Sequence, residues 1–578
     1  MKSRLLLILT VGVILFTSCN RTKKDADSDK GSATIYHSGD IITMEGDSPE
    51  YAEAVVQQNG KIVFVGSKDK AEKSYKGAEE FDLEGATMMP GFIEPHAHPV
   101  SIGAFILGNE IVAPHEWSMP YKTYQAATNH EEYISGLKKI VEENKEKDYV
   151  LAWGYHQAWH GPLTKEDLNA VSSTIPILIF HRSGHEYYLN DAAMRKFNVD
   201  VSKFENQDQM DAKNNHFWER GFQELRAGYL TPAVYGDKER LTLGMERMSE
   251  MMLQNGITAM MEPSFPNTEF HSEYNLLKAE CERFPYYTMY LVPGFPEQFT
   301  LKKNNEEMHA YVQKMSEYNT DNIEFLTNQY KTFSDGAIYS LALQLKDGFA
   351  NCPHCHAEWI MPPDMHKEVF DFFWDKGYKL HIHVTGDKGL QAALDILDKS
   401  MKRTPRENHQ TTMHHLGLFD EAQAQQMKEL GVEASVNSYY LWALGNKYGE
   451  IGFGKERAAR IAGMKWLTDR SIPMSLHSDF AMAPAEPLTL AWVAATRMTD
   501  NGQVLRPDLK ITVWDAMKAI TIDAAHTFSK GDEIGSIKRA KFATFTIIDK
   551  NPFKIEPMEI KDIKVKGIVY KGKFKENG

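Results

Sequence analysis

The sequence predicts an α/β protein: a TIM-type (β/α)8 barrel with a large insertion after its first strand, joined to a β-sandwich domain built from both chain ends. Three observations predict it. Eight short apolar runs alternate with helical stretches, the pattern of a parallel sheet covered by helices. Segments of alternating, turn-rich texture bracket the chain. The stretch between the first two runs is too long for a single crossover.

Composition sets the outer limits. The chain has 578 residues, 42% hydrophobic and 25% charged, with 39 Gly and 24 Pro, which excludes disordered, collagen-like and coiled-coil classes. Acidic residues outnumber basic ones 79 to 65, and no basic tract stands out. That balance argues against nucleic-acid binding, which depends on neutralising phosphates. No apolar run approaches the roughly 18 residues of a membrane span.

Residues 1–18 read as a signal peptide: Lys2 and Arg4, an apolar stretch from Leu5 to Phe16, then small Ser18. Cys19, after Phe16-Thr17-Ser18, resembles the lipidated cysteine of a bacterial lipoprotein box. Residues 19–33 are polar and charged, suited to a tether. The expectation is an exported protein, lipid-anchored to the bacterial cell envelope, touching the membrane only through the Cys19 lipid.

Residues 34–88 alternate like a small antiparallel sheet, with Asn59-Gly60 as a hairpin signal. Residues 528–578 repeat that texture around Lys571-Gly572. One composite domain from both ends follows, since chain termini often lie close together. The barrel is assigned to 89–527, its runs being 88–98, 257–263, 287–293, 324–336, 379–387, 410–417, 432–437 and 472–480. The insertion occupies about 100–255 and carries two strand candidates of its own, VLAWGYH and IPILIFH.

Polar residues gather where these runs end. His96 and His98 lie two apart, which in a strand puts both imidazoles on one face. Lys331, His383, His415 and Asp479 fall at or near the C-terminal ends of later runs, the rim where barrel active sites form. Nitrogen and oxygen donors of this kind suit zinc and its close relatives. His414 and His415 are adjacent, so alternation lets only one face the interior; His381 and His383 share a face, and spacing does not choose between them.

Each residue also has a plainer reading. Lys331 could snorkel to water, and Asp335 could cap a turn with Gly336. Arg182 and His185 could close a substrate carboxylate or carbonyl site or brace the insertion. His477 shares a face with Asp479 and is either a substrate contact or a core histidine. Trp442 and the Tyr439-Tyr440 pair could wall an apolar pocket or simply pack. Glu262 ends the second run without an assigned role. Cys352-Pro-His-Cys355-His356 reads as a loop disulfide in an oxidising compartment, with His354 and His356 leaving a metal reading open. Cys281 reads as a small buried hydrophobe.

Met89-Pro-Gly-Phe-Ile-Glu-Pro-His-Ala-His98 resembles the PGFID-x-H-x-H opening of the amidohydrolase superfamily. Tyr330-Lys331-Thr-Phe-Ser-Asp335-Gly336, His383-Val-Thr-Gly386-Asp387, Met413-His-His415 and His477-Ser-Asp479-Phe resemble its third amidohydrolase family, which includes N-substituted formamide deformylases. Arg182-Ser-Gly-His185 and Asn190-Asp-Ala-Ala are similar to a further stretch of that family, and the likeness runs from about 34 to 575. The resemblance implies that His96 and His98 hold one metal and that His383 and His415 hold a second. It implies a carboxylated Lys331 bridging both, and Asp479 as ligand and proton carrier. It selects His415 over His414 and His383 over His381. Substrate contacts fall to Arg182, His185, His477 and Trp442.

The implied activity is metal-dependent hydrolysis of a non-peptide C–N bond in a small molecule, an amide, N-acyl or N-formyl amine. One or two divalent ions serve as cofactor, zinc foremost. Cyclic-amide hydrolysis, deamination and ester hydrolysis on the same site are the alternatives, as is an inactive surface binding lipoprotein. The sequence departs from the family at the CPHCH loop, at His477 where relatives often have Gly, and at Lys541-Phe-Ala-Thr-Phe-Thr.

Overall fold

Eight parallel strands surround one axis in the computed structural model, which describes residues 33–577 except 206, 268, 353, 354 and 356. The export signal, Cys19, His354 and His356 lie outside the described residues. The strands are β1 (Phe92–Glu94), β2 (Ile257–Pro263), β3 (Thr288–Val292), β4 (Gln329–Phe333), β5 (Lys379–Val384), β6 (Thr412–His415), β7 (Glu433–Val436) and β8 (Met474–Leu476). Strands β1 to β3 pair in order, as do β4 to β8. Single bridges close the two seams, Gly294 to Lys331 and Ala97 to Phe480.

The run 324–336, read as one strand, holds two. Ile323–Phe325 pairs with β3, then a turn in which the Gln329 N–H donates to the Leu326 carbonyl separates it from β4. The polar Thr327-Asn328 pair accounts for the break, because such residues favour turns over strand interiors.

Strand alternation decides what faces the axis. On β4, Tyr330 stacks on Phe373 with ring centroids 3.8 Å apart, and Thr332 Oγ1 lies 3.0 Å from His366 Nε2. Phe373 and His366 belong to the covering helix Pro363–Asp375. Gln329, Lys331 and Phe333 therefore point to the opposite, interior side. On β5, Leu380 and Ile382 join the outer core, which leaves His381 and His383 inside. The covering helices are amphipathic: Asp387–Arg403 buries Leu390, Ala393, Leu394 and Leu397.

Between β1 and β2 the chain builds a six-stranded sheet, in which Val150–Tyr155 and Ile177–His181 are parallel neighbours. An eight-stranded sheet joins the ends of the chain: Thr87–Pro90 pairs on one side with Thr34–Ile42 and on the other with Phe545–Ile548. Cys352 and Cys355 form a disulfide in the loop after β4, and Cys281 is free and buried. Among the described residues no helix is long and apolar enough to cross a membrane.

Candidate metal centre

The ends of β1 and β8 are laced together by their backbones. The His98 N–H donates to the Phe480 carbonyl at 2.8 Å, and on the other side the Ala97 N–H donates to the Met261 carbonyl of β2 at 3.0 Å. Glu94 reinforces the seam from below. Its buried carboxyl accepts from the Ser478 N–H at 3.1 Å, the Ser478 hydroxyl at 2.6 Å and the His96 N–H at 3.3 Å. Burial pushes the Glu94 carboxyl up to about 8 against those donors.

This lacing holds the Asp479 carboxylate over three imidazoles. Oδ1 lies 3.5 Å from His96 Nε2 and 3.6 Å from His98 Nε2, while Oδ2 lies 3.6 Å from His415 Nδ1. The His415 ring is 4.4 Å from that of His383 and 4.6 Å from that of His96. Two of these residues have left-handed backbones, Asp479 at φ +56° and His415 at φ +76°. Strain of that kind collects at functional sites.

The buried atoms at this mouth that have no hydrogen-bond partner include His96 Nε2, His383 Nε2, His415 Nε2 and Lys331 Nζ. Leaving buried polar groups unpaired is costly, so a cluster of them calls for a ligand. Three are imidazole lone-pair positions beside a carboxylate, which is a divalent-metal donor set. Ligand atoms of His96, His415 and Asp479 lie within 4.8 Å of one another, as do those of His96, His414 and His477. The second trio spends its nitrogens on hydrogen bonds, described below. The first is the candidate. Burial draws the Lys331 amine well below its ordinary pKa, opposed by Asp479; burial raises Asp479, opposed by Lys331 and His185.

His96, His383 and His415 are oriented from behind by hydrogen bonds, as is usual for metal-bound histidines. His96 Nδ1 lies 2.7 Å from His414 Nδ1, His414 Nε2 is 2.8 Å from His381 Nδ1, and His381 Nε2 is 2.7 Å from Gln329 Oε1. His415 Nδ1 lies 3.1 Å from His477 Nε2, and His477 Nδ1 is 2.8 Å from Ser435 Oγ. His383 bonds the Gly336 carbonyl. His98 Nδ1 faces Glu262 Oε1 at 3.8 Å, which gives Glu262 a place beside the site.

The structure brings His96, His98, Lys331, His383, His415 and Asp479 together at one rim. It corrects several expectations around them. His414 and His415 both enter the interior, because His415 sits in a γ-turn whose Leu416 N–H donates to the His414 carbonyl at 3.1 Å, and the turn breaks strand alternation. His381 lies deeper, its two nitrogens occupied. His477, expected against substrate, is fully buried with both nitrogens engaged and its ring stacked 4.7 Å from that of His96. Asp335 is more than a turn cap: its carboxylate gathers the N–H groups of Gln344, Thr385 and Gly386 at 2.8–2.9 Å, tying the loop after β4 to the end of β5.

Arg182 is fully buried, its guanidinium 5.1 Å from the Tyr339 ring, 5.6 Å from Trp153 and 5.9 Å from Trp117. His185 stands at the mouth with its side chain 35% exposed, and Nδ1 is 3.1 Å from Glu219. Burial lowers its pKa most, but the carboxylates of Glu219, Glu186 and Asp479 together raise it on balance. Trp442 is half-buried between His115 and Tyr439, with ring centroids 4.9 and 4.8 Å away. Sequence reasoning passed over Gln329, Glu94 and Ser478. Their signal was a spacing of two from Lys331 and from His96, and adjacency to Asp479.

The profile of the amidohydrolase family matches residues 79–574. The chain belongs to the amidohydrolase family. Among relatives of this amidohydrolase, the N-substituted formamide deformylase of Arthrobacter pascens is 22% identical over 526 residues, 89% of this chain and 93% of the relative. The exoenzymes regulatory protein AepA of Pectobacterium carotovorum subsp. carotovorum is 26% identical over 398 residues, 64% of this chain and 78% of its own. A crystal structure of a metal-dependent hydrolase from Pyrococcus horikoshii superposes with a TM-score of 0.68 at 20% identity, covering 91% of this chain and 99% of the other. At that identity the superposition speaks for the TIM-like fold.

Proposed function

We propose that this amidohydrolase cleaves a non-peptide C–N bond of a small molecule, an N-acyl or N-formyl amine. The observation that carries the reading is the set of unpartnered atoms, His96 Nε2, His383 Nε2, His415 Nε2 and Lys331 Nζ, around the Asp479 carboxylate. Similarity over most of the chain to a formamide deformylase supports the bond type.

In this reading His96, His98 and Asp479 hold one divalent ion, zinc foremost, and His383 and His415 a second. Lys331 would join them as a ligand once its amine had added to carbon dioxide and lost a proton, a change that would turn a repelled cation into an anion. When bound, the metal supplies Lewis acidity and lowers the pKa of a water towards about 7. Asp479 accepts the proton of the attacking water and delivers it to the leaving nitrogen. His185, paired with Glu219 at the mouth, orients the substrate carbonyl. Trp442 and Arg182 shape the wall behind, Arg182 through the ring of Tyr339. Export and the Cys19 lipid place the enzyme at the cell envelope.

Substrate profiling of the zinc-loaded protein tests this. Stoichiometric release of an amine and a carboxylate from N-formyl or N-acyl amines is expected. Ammonia release without a new carboxylate, turnover of esters alone, or ligand binding without turnover would overturn it.

A further inference from the structure

The buried line His96–His414–His381–Gln329 has a direction. Within three neutral imidazoles in a row, two proton arrangements satisfy both internal hydrogen bonds equally well. In one, every hydrogen points away from the rim and His96 Nε2 is bare. In the other, every hydrogen points towards it and His96 Nε2 carries N–H. At the rim end Asp479 Oδ1 lies 3.5 Å from His96 Nε2 and makes no hydrogen bond to it, so the hydrogen bonds at the far end break the tie.

That group is Gln329, one strand-face step below Lys331 on β4. Its Nε2 donates to the Phe528 carbonyl at 3.1 Å, and a carbonyl can only accept. The amide oxygen must then face His381 Nε2, where it lies at 2.7 Å. His381 Nε2 carries the hydrogen, so its Nδ1 accepts from His414 Nε2 at 2.8 Å. His414 Nδ1 in turn accepts from His96 Nδ1 at 2.7 Å. His96 Nε2 is left as a lone pair beside Asp479, which is where it has no hydrogen-bond partner. All four side chains are buried, so water cannot substitute for the missing acceptor.

We propose that Gln329 is a positioning residue for the metal centre: three side chains from the ion, it fixes which nitrogen of His96 is free to ligate. The proposal rests on His96 being a ligand, as in the proposed function. The parallel line through His477 has no such anchor. It ends on the hydroxyls of Ser435, Ser475 and Thr527, which rotate to serve either direction.

The test uses Gln329→Met, which keeps volume and removes the acceptor, and Gln329→Glu. A neutral glutamic acid can still accept from His381 and donate to Phe528. In ¹⁵N-histidine spectra of the metal-free protein, with His96 assigned by comparison with His96→Gln, the wild type should show a bare Nε2 and Q329M a protonated one. Zinc affinity by chelator competition should fall about 10- to 100-fold in Q329M and recover in Q329E. Wild-type affinity with an unchanged His96 tautomer in Q329M overturns the proposal. So does a protonated His96 Nε2 in the metal-free wild type, a result that needs no variant to fold. Failure of the wild type to bind zinc sinks the metal reading instead, with the tautomer spectrum still judging the relay.

Discussion

The Asp479 N–H donates to the His96 carbonyl at 3.1 Å, so the loop that follows the last barrel strand is fixed to the residue that opens the site. Glu94 and Ser478 hold the same seam one step below. Removing the Glu94 carboxyl strands the two N–H groups and the hydroxyl it accepts from. Glu94→Ala should lose about 3 kcal/mol of stability and bind metal more weakly. Denaturant unfolding and metal analysis check this; unchanged values in both would mean that the seam does not organise the site.

Asp479 is the proton carrier of the proposed reaction. Asp479→Asn keeps size and hydrogen-bonding shape but cannot accept a proton, so kcat should fall by about 10²–10⁴. Steady-state kinetics at saturating zinc decide it, and a variant within tenfold of wild type would remove Asp479 from that role.

Lys331 is 1% exposed with no hydrogen-bond partner for its amine. Lys331→Ala should abolish turnover, and added short carboxylates should restore part of it by standing in for the lost anion. Activity equal to wild type without additives would refute a bridging role.

His366 binds Thr332 behind β4, and burial lowers its pKa from 6.5 to about 4. A base with a depressed folded pKa binds its proton more readily when unfolded. Its contribution is therefore complete above pH 6.5 and is lost as pH falls from 6.5 towards 4, to the extent of about 3 kcal/mol. His366→Gln keeps a partner for Thr332 but does not titrate. Its unfolding free energy should fall less steeply than that of wild type across this window, and parallel curves would show that His366 carries no such term.

The barrel strands are legible in the residues, whereas the choice among neighbouring histidines at the rim comes from the family resemblance. Period-two spacing at His381 and His383 survives because β5 is regular there, whereas His96 and His98 lie past the end of β1, where backbone hydrogen bonds to Met261 and Phe480 hold the segment. His414 was assigned outward because alternation was assumed to continue through His415. The γ-turn there is a three-residue backbone event with no side-chain signature, and it brings a second histidine inside. Gln329 had the right spacing from Lys331, but its importance lies in a partner, Phe528, nearly two hundred positions away. For Arg182 the sequence leaves both a substrate contact and a brace for the insertion open, because its packing against Trp117, Trp153 and Tyr339 depends on three separate segments of chain.

Anomalous diffraction at the zinc edge from zinc-loaded crystals tests the central claim most directly. The account predicts a peak within about 2.0–2.2 Å of His96 Nε2 and Asp479. A second peak is expected at His383 and His415, with density extending beyond the Lys331 amine to both. Zinc bound elsewhere on the molecule, with these six side chains contacting no ion, would contradict it.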